Sequence, residues 1–353
     1  MPKSVQIKKI KGGVTAPKGF LAAGIHAGVK PAPELDLALV ASERKGPIAG
    51  VFTKNQIQAA PVTLNKQQLK KHIGQAIVIN SGNANACTGD QGMANAKEMR
   101  QIIARQLGIP QGAVFVNSTG VIGRPLPMPV LRKALPLLAI QLSPSGHWKA
   151  AKAIMTTDTK SKEFACQGKI SGHLITIGGM AKGSGMIHPN MATMLGYLTT
   201  DANIAPRALQ RGLNEAVEKT FNCISIDGDN STNDTVLCLA NGSANNPVIQ
   251  LETPEYKTFT HLLKEACKSL ALQICRDGEG MTKLVTIMVE GTKTHQQAKQ
   301  IGETIATSML VKTAIFGEDP NWGRIIAAAG HAGVLFNPKH LSLKFDNVTV
   351  VQK

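Results

Sequence analysis

The stretch Lys182-Gly-Ser-Gly-Met-Ile-His-Pro-Asn-Met-Ala-Thr-Met-Leu195 is where residue types and spacing could do chemistry. A lysine and two glycines lead through His188-Pro189-Asn190 into a small-residue junction, Ala192-Thr193, that carries a β-branched hydroxyl. Gly178-Gly179 extends the same punctuation upstream. Backbone so rich in glycine suits a chain that must turn sharply or come close to another group. Read as pattern alone, the stretch is a loop followed by a strand.

Other signatures of chemistry are missing. There is no H-E-x-x-H, no G-x-x-x-x-G-K-[ST] and no G-x-S-x-G. The nine histidines show no ligand spacing. Cys87, Cys166, Cys223, Cys238, Cys267 and Cys275 form no C-x-x-C pair, so buried free thiols are expected. The run Asp227-Gly-Asp-Asn-Ser-Thr-Asn-Asp234 has the composition of a calcium loop but lacks the glutamate at EF-hand spacing, and reads as a polar loop near a site. No metal and no cofactor are expected. Thr156, within Thr-Thr-Asp-Thr, fits a turn cap as well as a ligand contact. Lys182 alone reads as a solvated lysine, and His188 beside Pro189 as structural. Glu279, between Gly278 and Gly280, sits in a loop, which favours a functional role.

The elements that must position these residues alternate between strands and helices. Short β-branched runs predict strands at Ala76–Asn80, Leu174–Ile177, Thr235–Leu239 and Leu284–Val289, with a further strand-like run from Leu341 to Val351. Leu209, Leu213 and Val217, after Pro206 in a first-turn position, make an apolar helix face. Phe259, Leu262, Leu263, Ala266, Cys267 and Leu270 make a second, and Ile301, Ile305 and Met309 a third. Ala94–Leu107 predicts a fourth, with Met99, Ile102 and Ile103 inward. The mixture argues for α+β layers, helices covering sheets. No short repeat and no Ser/Gly/Pro-rich linker divides the chain.

The 353 residues suffice for one large domain or two ordinary ones. The composition, 43% hydrophobic and 18% charged, is that of a globular protein; with only 4% aromatics, aliphatic residues must fill the core. No apolar run approaches the ~20 residues of a membrane helix, and the polar N-terminus lacks a signal-peptide core, so a cytoplasmic protein without a membrane partner is expected. The net charge of +16 is scattered, without dense basic blocks. A general basic surface or the attraction of acidic metabolites accounts for the charge about as well as nucleic-acid binding does, and no nucleic-acid partner is expected.

The Lys182–Leu195 stretch resembles the autoprocessing site of the ornithine acetyltransferase family, also called bifunctional arginine biosynthesis proteins (glutamate N-acetyltransferases). Collinear blocks agree: Asn80-Ser-Gly-Asn-Ala-Asn-Ala86, Asn117-Ser-Thr-Gly-Val-Ile-Gly123, Met155-Thr-Thr-Asp-Thr159, Ser225-Ile-Asp-Gly-Asp-Asn-Ser-Thr-Asn-Asp-Thr235, Asp277-Gly-Glu-Gly280 and Phe316-Gly-Glu-Asp-Pro-Asn-Trp-Gly-Arg324. The likeness runs from about residue 10 to about residue 335. It implies a layered α-β-β-α sandwich of the self-processing N-terminal-threonine type, shared with aminopeptidases.

The resemblance also implies roles. The chain is expected to cleave itself between Ala192 and Thr193, giving an α chain, 1–192, and a β chain, 193–353, intertwined in one catalytic unit. Two of each would form a heterotetramer. Thr193 is then the nucleophile. A free α-amine beside its hydroxyl, with a pKa of about 7.7–8.0, suits a general base. Thr119 and Gly120 match the oxyanion positions, and Thr156, Lys182, Thr193 and Glu279 the substrate-binding positions. Lys182 would hold an α-carboxylate, and Glu279 the cationic amine of ornithine. The implied reaction moves acetyl from N-acetylornithine to glutamate, releasing ornithine; some members also accept acetyl-coenzyme A. Family members run several dozen residues beyond the position of Lys353, ending in an Asn and a Thr that help bind substrate. A 353-residue form is therefore expected to cleave itself but to transfer acetyl groups poorly. A binding or scaffold relative of the same fold, impaired in turnover, is the alternative.

Overall fold

The computed structural model describes residues 6–31, 33–188 and 194–352. They form two compact units, Met1–Glu279 and Gly280–Lys353.

The first unit is organised around one long strand. β1 is Lys8–Ile10, β2 Phe20–Ile25, β3 Leu37–Phe52, β4 Ile73–Asn83 and β5 Val114–Val121. β6 is Lys162–Ile170, β7 His173–Lys182, β8 Leu195–Thr200 and β9 Thr235–Ala240. The pairing order is β1-β6-β7-β8-β9-β3-β4-β5, with β2 also on β3. β3 serves two sheets: Leu37–Ala41 pairs with β2 and β4, Ile48–Phe52 pairs with β9, and the register with β4 shifts between Ala41 and Gly46. β8 lies between β7 and β9, so strands on both sides of residues 192 and 193 share one sheet.

Alternation of side chains along each strand sorts them into layers. Ile77 and Ile79 of β4, Phe115 of β5, Met180 of β7, Leu195 and Tyr197 of β8, and Leu237 and Leu239 of β9 share a core between the two sheets. Their neighbours face outward. Ala76, Val78, Val114 and Val116 pack under α2 (Gly89–Leu107) and α3 (Met128–Ile140). Val236 and Cys238 pack under α5 (Pro206–Glu218) and α6 (Pro254–Cys275). The result is the expected α-β-β-α sandwich. Two short helices complete the unit, α1 (Ala60–Leu69) and α4 (His147–Ala153).

The helices form for the expected reasons. Pro206 opens α5 and places Leu209, Leu213 and Val217 inward. Thr253 caps α6 by accepting the Tyr256 N–H, and Phe259, Leu262, Leu263, Ala266, Cys267 and Leu270 are buried. In α2, Met99 and Ile103 are buried and Ile102 partly so, and Gly108 closes the helix in the left-handed region.

The second unit packs α7 (His295–Thr307), α8 (Met309–Phe316) and α9 (Trp322–Gly330) around Ile301, Ile305, Val311 and Ala328. Met309 does not continue the face of Ile301 and Ile305. Ser308 is extended, ends α7 and caps α8 through the Val311 N–H, which leaves Met309 exposed. Leu284–Val289 is not a strand: it has no ladder partner among the described residues, and Leu284, Val285 and Met288 are exposed. β-branched composition does not make a strand without a neighbour to pair with. The run Leu341–Val351 forms a hairpin, β10 (Ser342–Phe345) and β11 (Val348–Gln352), instead of a single strand. Among the described residues no helix is long and apolar enough to cross a membrane.

Candidate active site

Lys182 ends β7 two residues after Met180, so it points into the space between the sheets and is 4% exposed. It is not the solvated lysine its isolated position suggests. Thr119 lies on β5 at the same parity as Phe115 and faces that space from the other sheet, 5% exposed. Lys182 Nζ donates to Thr119 Oγ1 at 3.4 Å. Gly120 follows with φ of +133°, and a Cβ there would come within 2.3 Å of the Gly82 carbonyl carbon, so no side chain fits. The ends of β4 and β5 are tied together by the Ser118 hydroxyl, which donates to Asn80 Oδ1 at 2.6 Å.

Behind Lys182 lies a buried ionic cluster. Asp158 Oδ1 accepts the Gly183 N–H at 2.7 Å and the Lys162 ammonium at 2.6 Å, while its Oδ2 accepts the Thr156 N–H at 3.0 Å. Lys162 also donates to Asp277 Oδ2 at 2.6 Å. Asp277 takes the Thr159 N–H and hydroxyl, and its backbone carbonyl takes the Ser184 hydroxyl at 2.5 Å. The Glu279 N–H then donates to the Ser184 carbonyl at 2.9 Å. Thr156, Lys182 and Glu279 are thus fastened to one another through Asp158, Lys162, Ser184 and Asp277. Glu279 itself is exposed, and a Cβ on Gly185 would meet its carboxyl carbon at 2.6 Å. The close approach expected of the glycine-rich loop occurs there.

Burial lowers the Lys182 pKa below its ordinary value; Asp158, Asp234 and Glu279 oppose this, and Lys162 adds to it. Burial pushes Asp158 up, but Lys182, Lys162 and the Gly183 N–H outweigh it and hold the carboxyl below its ordinary value. Asp234 behaves in the opposite way. Burial raises it well above the usual carboxylate range, and neither the Met194 N–H nor Lys182 offsets this. The site sets the buried Lys182 amine beside a threonine hydroxyl, an arrangement that, with the amine protonated, meets a carboxylate or a developing oxyanion.

Thr119, Gly120, Thr156, Lys182 and Glu279 all belong to this assembly. Ala192 and Thr193 lie outside the described residues. Met194, next in the chain, is described and gives its N–H to Asp234 Oδ1 at 2.9 Å. His188 Nδ1 lies 3.4 Å from the Ser225 hydroxyl, a structural contact. Asp227 accepts the Met186 and Ile187 N–H groups, so the 227–234 run is a polar loop bound to the glycine-rich one. Among the described residues no group of three or more His, Cys, Asp or Glu is placed to hold a metal. The thiols are only half as expected: Cys166, Cys238 and Cys267 are buried, Cys275 is partly so, and Cys87, in the loop before α2, and Cys223, at the end of the short 3-10 helix Phe221–Cys223, are exposed. Sequence reasoning did not single out Asp158, Lys162, Ser184, Asn233, Asp234 or Asp277. Apart from Lys162 they stand inside quoted motif blocks, but nothing in those blocks says which acid is buried.

The family model described as ArgJ family matches residues 21–353. The chain belongs to that family. It is 50% identical over 336 residues to the arginine biosynthesis bifunctional protein ArgJ of Symbiobacterium thermophilum, covering 95% of this chain and 84% of that one. The protein of the same name from a Synechococcus strain is 49% identical over 338 residues, covering 96% and 81%. A solved structure, ornithine acetyltransferase complexed with ornithine from Mycobacterium tuberculosis, is 38% identical and covers 52% of this chain and 98% of that one, with a TM-score of 0.49.

Proposed function

We propose that this chain is a self-processing acetyltransferase of arginine biosynthesis that moves acetyl from N-acetylornithine to glutamate through an acetyl-Thr193 intermediate. The single observation that carries the reading is the 3.4 Å bond between Lys182 and Thr119, which sets a buried cation at the candidate oxyanion position of a chain half identical to named bifunctional ArgJ proteins. In processing, the Thr193 hydroxyl attacks the Ala192 carbonyl carbon. The acyl group shifts from nitrogen to oxygen, the α-amine of Thr193 is freed, and water opens the ester. This yields the chains 1–192 and 193–353. In turnover, Thr193 Oγ attacks the acetyl carbonyl of N-acetylornithine while its α-amine takes the proton. Negative charge grows on the carbonyl oxygen and is met by the Thr119 hydroxyl and the Gly120 backbone. The proton passes to the departing amine of ornithine. The amine of glutamate then attacks the acetyl ester and restores the Thr193 hydroxyl. Lys182 holds the α-carboxylate, Thr156 lines the same pocket, and Glu279 receives the side-chain ammonium of ornithine. Acetyl-coenzyme A is a second acetyl donor, no cofactor takes part, and the two chains assemble as a heterotetramer in the cytoplasm.

Intact mass and N-terminal sequencing test the reading directly. The folded protein should consist of two associated fragments, the second beginning at Thr193, and Thr193→Ala should leave one full-length chain. Initial rates against N-acetylornithine and glutamate should give parallel double-reciprocal lines. A folded wild type that stays a single chain and shows intersecting lines would sink the proposal.

A further inference from the structure

Asn233 and Asp234 are neighbours at the entry to β9, and each reaches a different half of the site. Asn233 Nδ2 donates to the Ser118 carbonyl and to the Ala84 carbonyl, both at 2.7 Å. Ser118 immediately precedes Thr119, and Ala84 continues the end of β4 beside it. Asp234 Oδ1 accepts the N–H of Met194 at 2.9 Å, and that N–H belongs to the peptide that joins Met194 to Thr193. The Asp234 backbone carbonyl accepts the Thr53 N–H at 2.9 Å, which anchors the pair at the far end of β3. Asp234 is fully buried and Asn233 nearly so. Asp234 Oδ2 is buried and finds no hydrogen-bond partner among the described residues.

We infer that Asn233 and Asp234 are positioning residues that hold the backbone at Met194, the residue next in the chain to the proposed nucleophile, in register with the strand end that carries Thr119 and Gly120. The inference rests on the acyl-transfer reading above. Two adjacent residues on one stiff strand entry cannot move independently. A tie from each to one half of the site therefore fixes the two halves against each other. Asp234 does this as an acceptor for a backbone N–H, so the oxygen matters and the negative charge does not. Asparagine keeps that oxygen, and alanine does not.

The test compares the full chain with Asp234→Ala, Asp234→Asn and Asn233→Ala, reading self-cleavage by intact mass and kcat and KM with N-acetylornithine. A shift of about 1 Å in reacting atoms costs about a hundredfold, so Asp234→Ala and Asn233→Ala should slow cleavage and lower kcat by that order. KM should change less than kcat, because Thr156, Lys182 and Glu279 keep their hydrogen-bonded places and only the electrostatic contribution of Asp234 to Lys182 is altered. Asp234→Asn should recover most of the lost turnover. Amide hydrogen exchange at Met194 gives a second measurement that survives a variant that fails to fold. The amide should be protected in the unmodified protein. Free exchange there overturns the inference, as does Asp234→Ala cleaving and turning over like the parent, or Asp234→Asn failing as badly as Asp234→Ala. If the unmodified chain cleaves and transfers while the variants do too, only this inference falls. If the unmodified chain does neither, the acyl-transfer reading has failed and the inference falls with it.

Discussion

Lys182 Nζ donates to Thr119 Oγ1 across 3.4 Å, and the bond passes from β7 of one sheet to β5 of the other. It joins the group proposed to hold a carboxylate with the group proposed to meet the oxyanion, so each substitution touches the other, and they should differ in which constant changes most. Thr119→Ala should lower kcat by about a hundredfold. Lys182→Met should act mainly on KM. Steady-state kinetics of both variants check this, and an unchanged kcat in Thr119→Ala removes it from the oxyanion role.

The same lysine predicts a pH dependence. Burial brings its pKa below the ordinary 10.5, so the ammonium is lost earlier on the alkaline side than an exposed lysine would lose it. Only the charged form attracts a carboxylate. KM for N-acetylornithine should therefore rise with pH before 10.5 is reached. A profile of KM against pH, taken with Lys182→Met as the flat control, reads the effect.

The Lys162 ammonium is 1% exposed and bridges Asp158 and Asp277, themselves 0% and 6% exposed. Removing it alone leaves two buried carboxylates facing each other. Lys162→Met should destabilise the fold by about 3–5 kcal/mol, the cost of breaking a buried ion pair from one side. The triple change with Asp158→Asn and Asp277→Asn should recover much of that loss, as urea unfolding would show.

Helices covering sheets were legible because short β-branched runs mark strands such as β4 and β9 and apolar faces mark α5 and α6, while the order of the four layers came only through the family resemblance. Leu284–Val289 misled for a definable reason: its composition is that of a strand, and pairing is a property of neighbours that the run does not contain. The residues proposed to face substrate were legible through motif resemblance alone, since Lys182 by itself looks like any surface lysine. The residues that hold them in place were not. Lys162 and Asp277 are 115 positions apart, and only the fold brings them to 2.6 Å.

That cluster also sets the acid limb of stability. Burial raises Asp277, but the Lys162 and Thr159 hydrogen bonds outweigh it and leave the carboxyl below its usual 3.8; Asp158 shifts the same way. A carboxylate with a lowered folded pKa stabilises the fold above its unfolded value, and the contribution is lost as pH falls through the folded value. Stability should therefore drop as pH falls to and below 3.8. Asp277→Asn should be less stable near neutral pH and show a shallower acid decline. Thermal unfolding across that range makes the comparison.

Gly185 offers the sharpest separation of binding from folding. A Cβ there would lie 2.6 Å from the Glu279 carboxyl carbon, closer than real Cβ contacts come. The obstructing group is the far end of a flexible, exposed side chain, so the conflict is relieved by swinging Glu279 away and not by moving backbone. Gly185→Ala should therefore leave the melting temperature nearly unchanged. Self-cleavage should also proceed, because its substrate is the chain itself and needs no seat for ornithine. The displaced carboxylate would no longer stand where the side-chain ammonium of ornithine is proposed to bind. KM for N-acetylornithine should rise, while KM for glutamate, which carries no such ammonium, should hold. If both constants rise together, the alanine has disturbed the shared pocket and Glu279 does not discriminate between the two substrates. If neither rises, Glu279 does not contact ornithine.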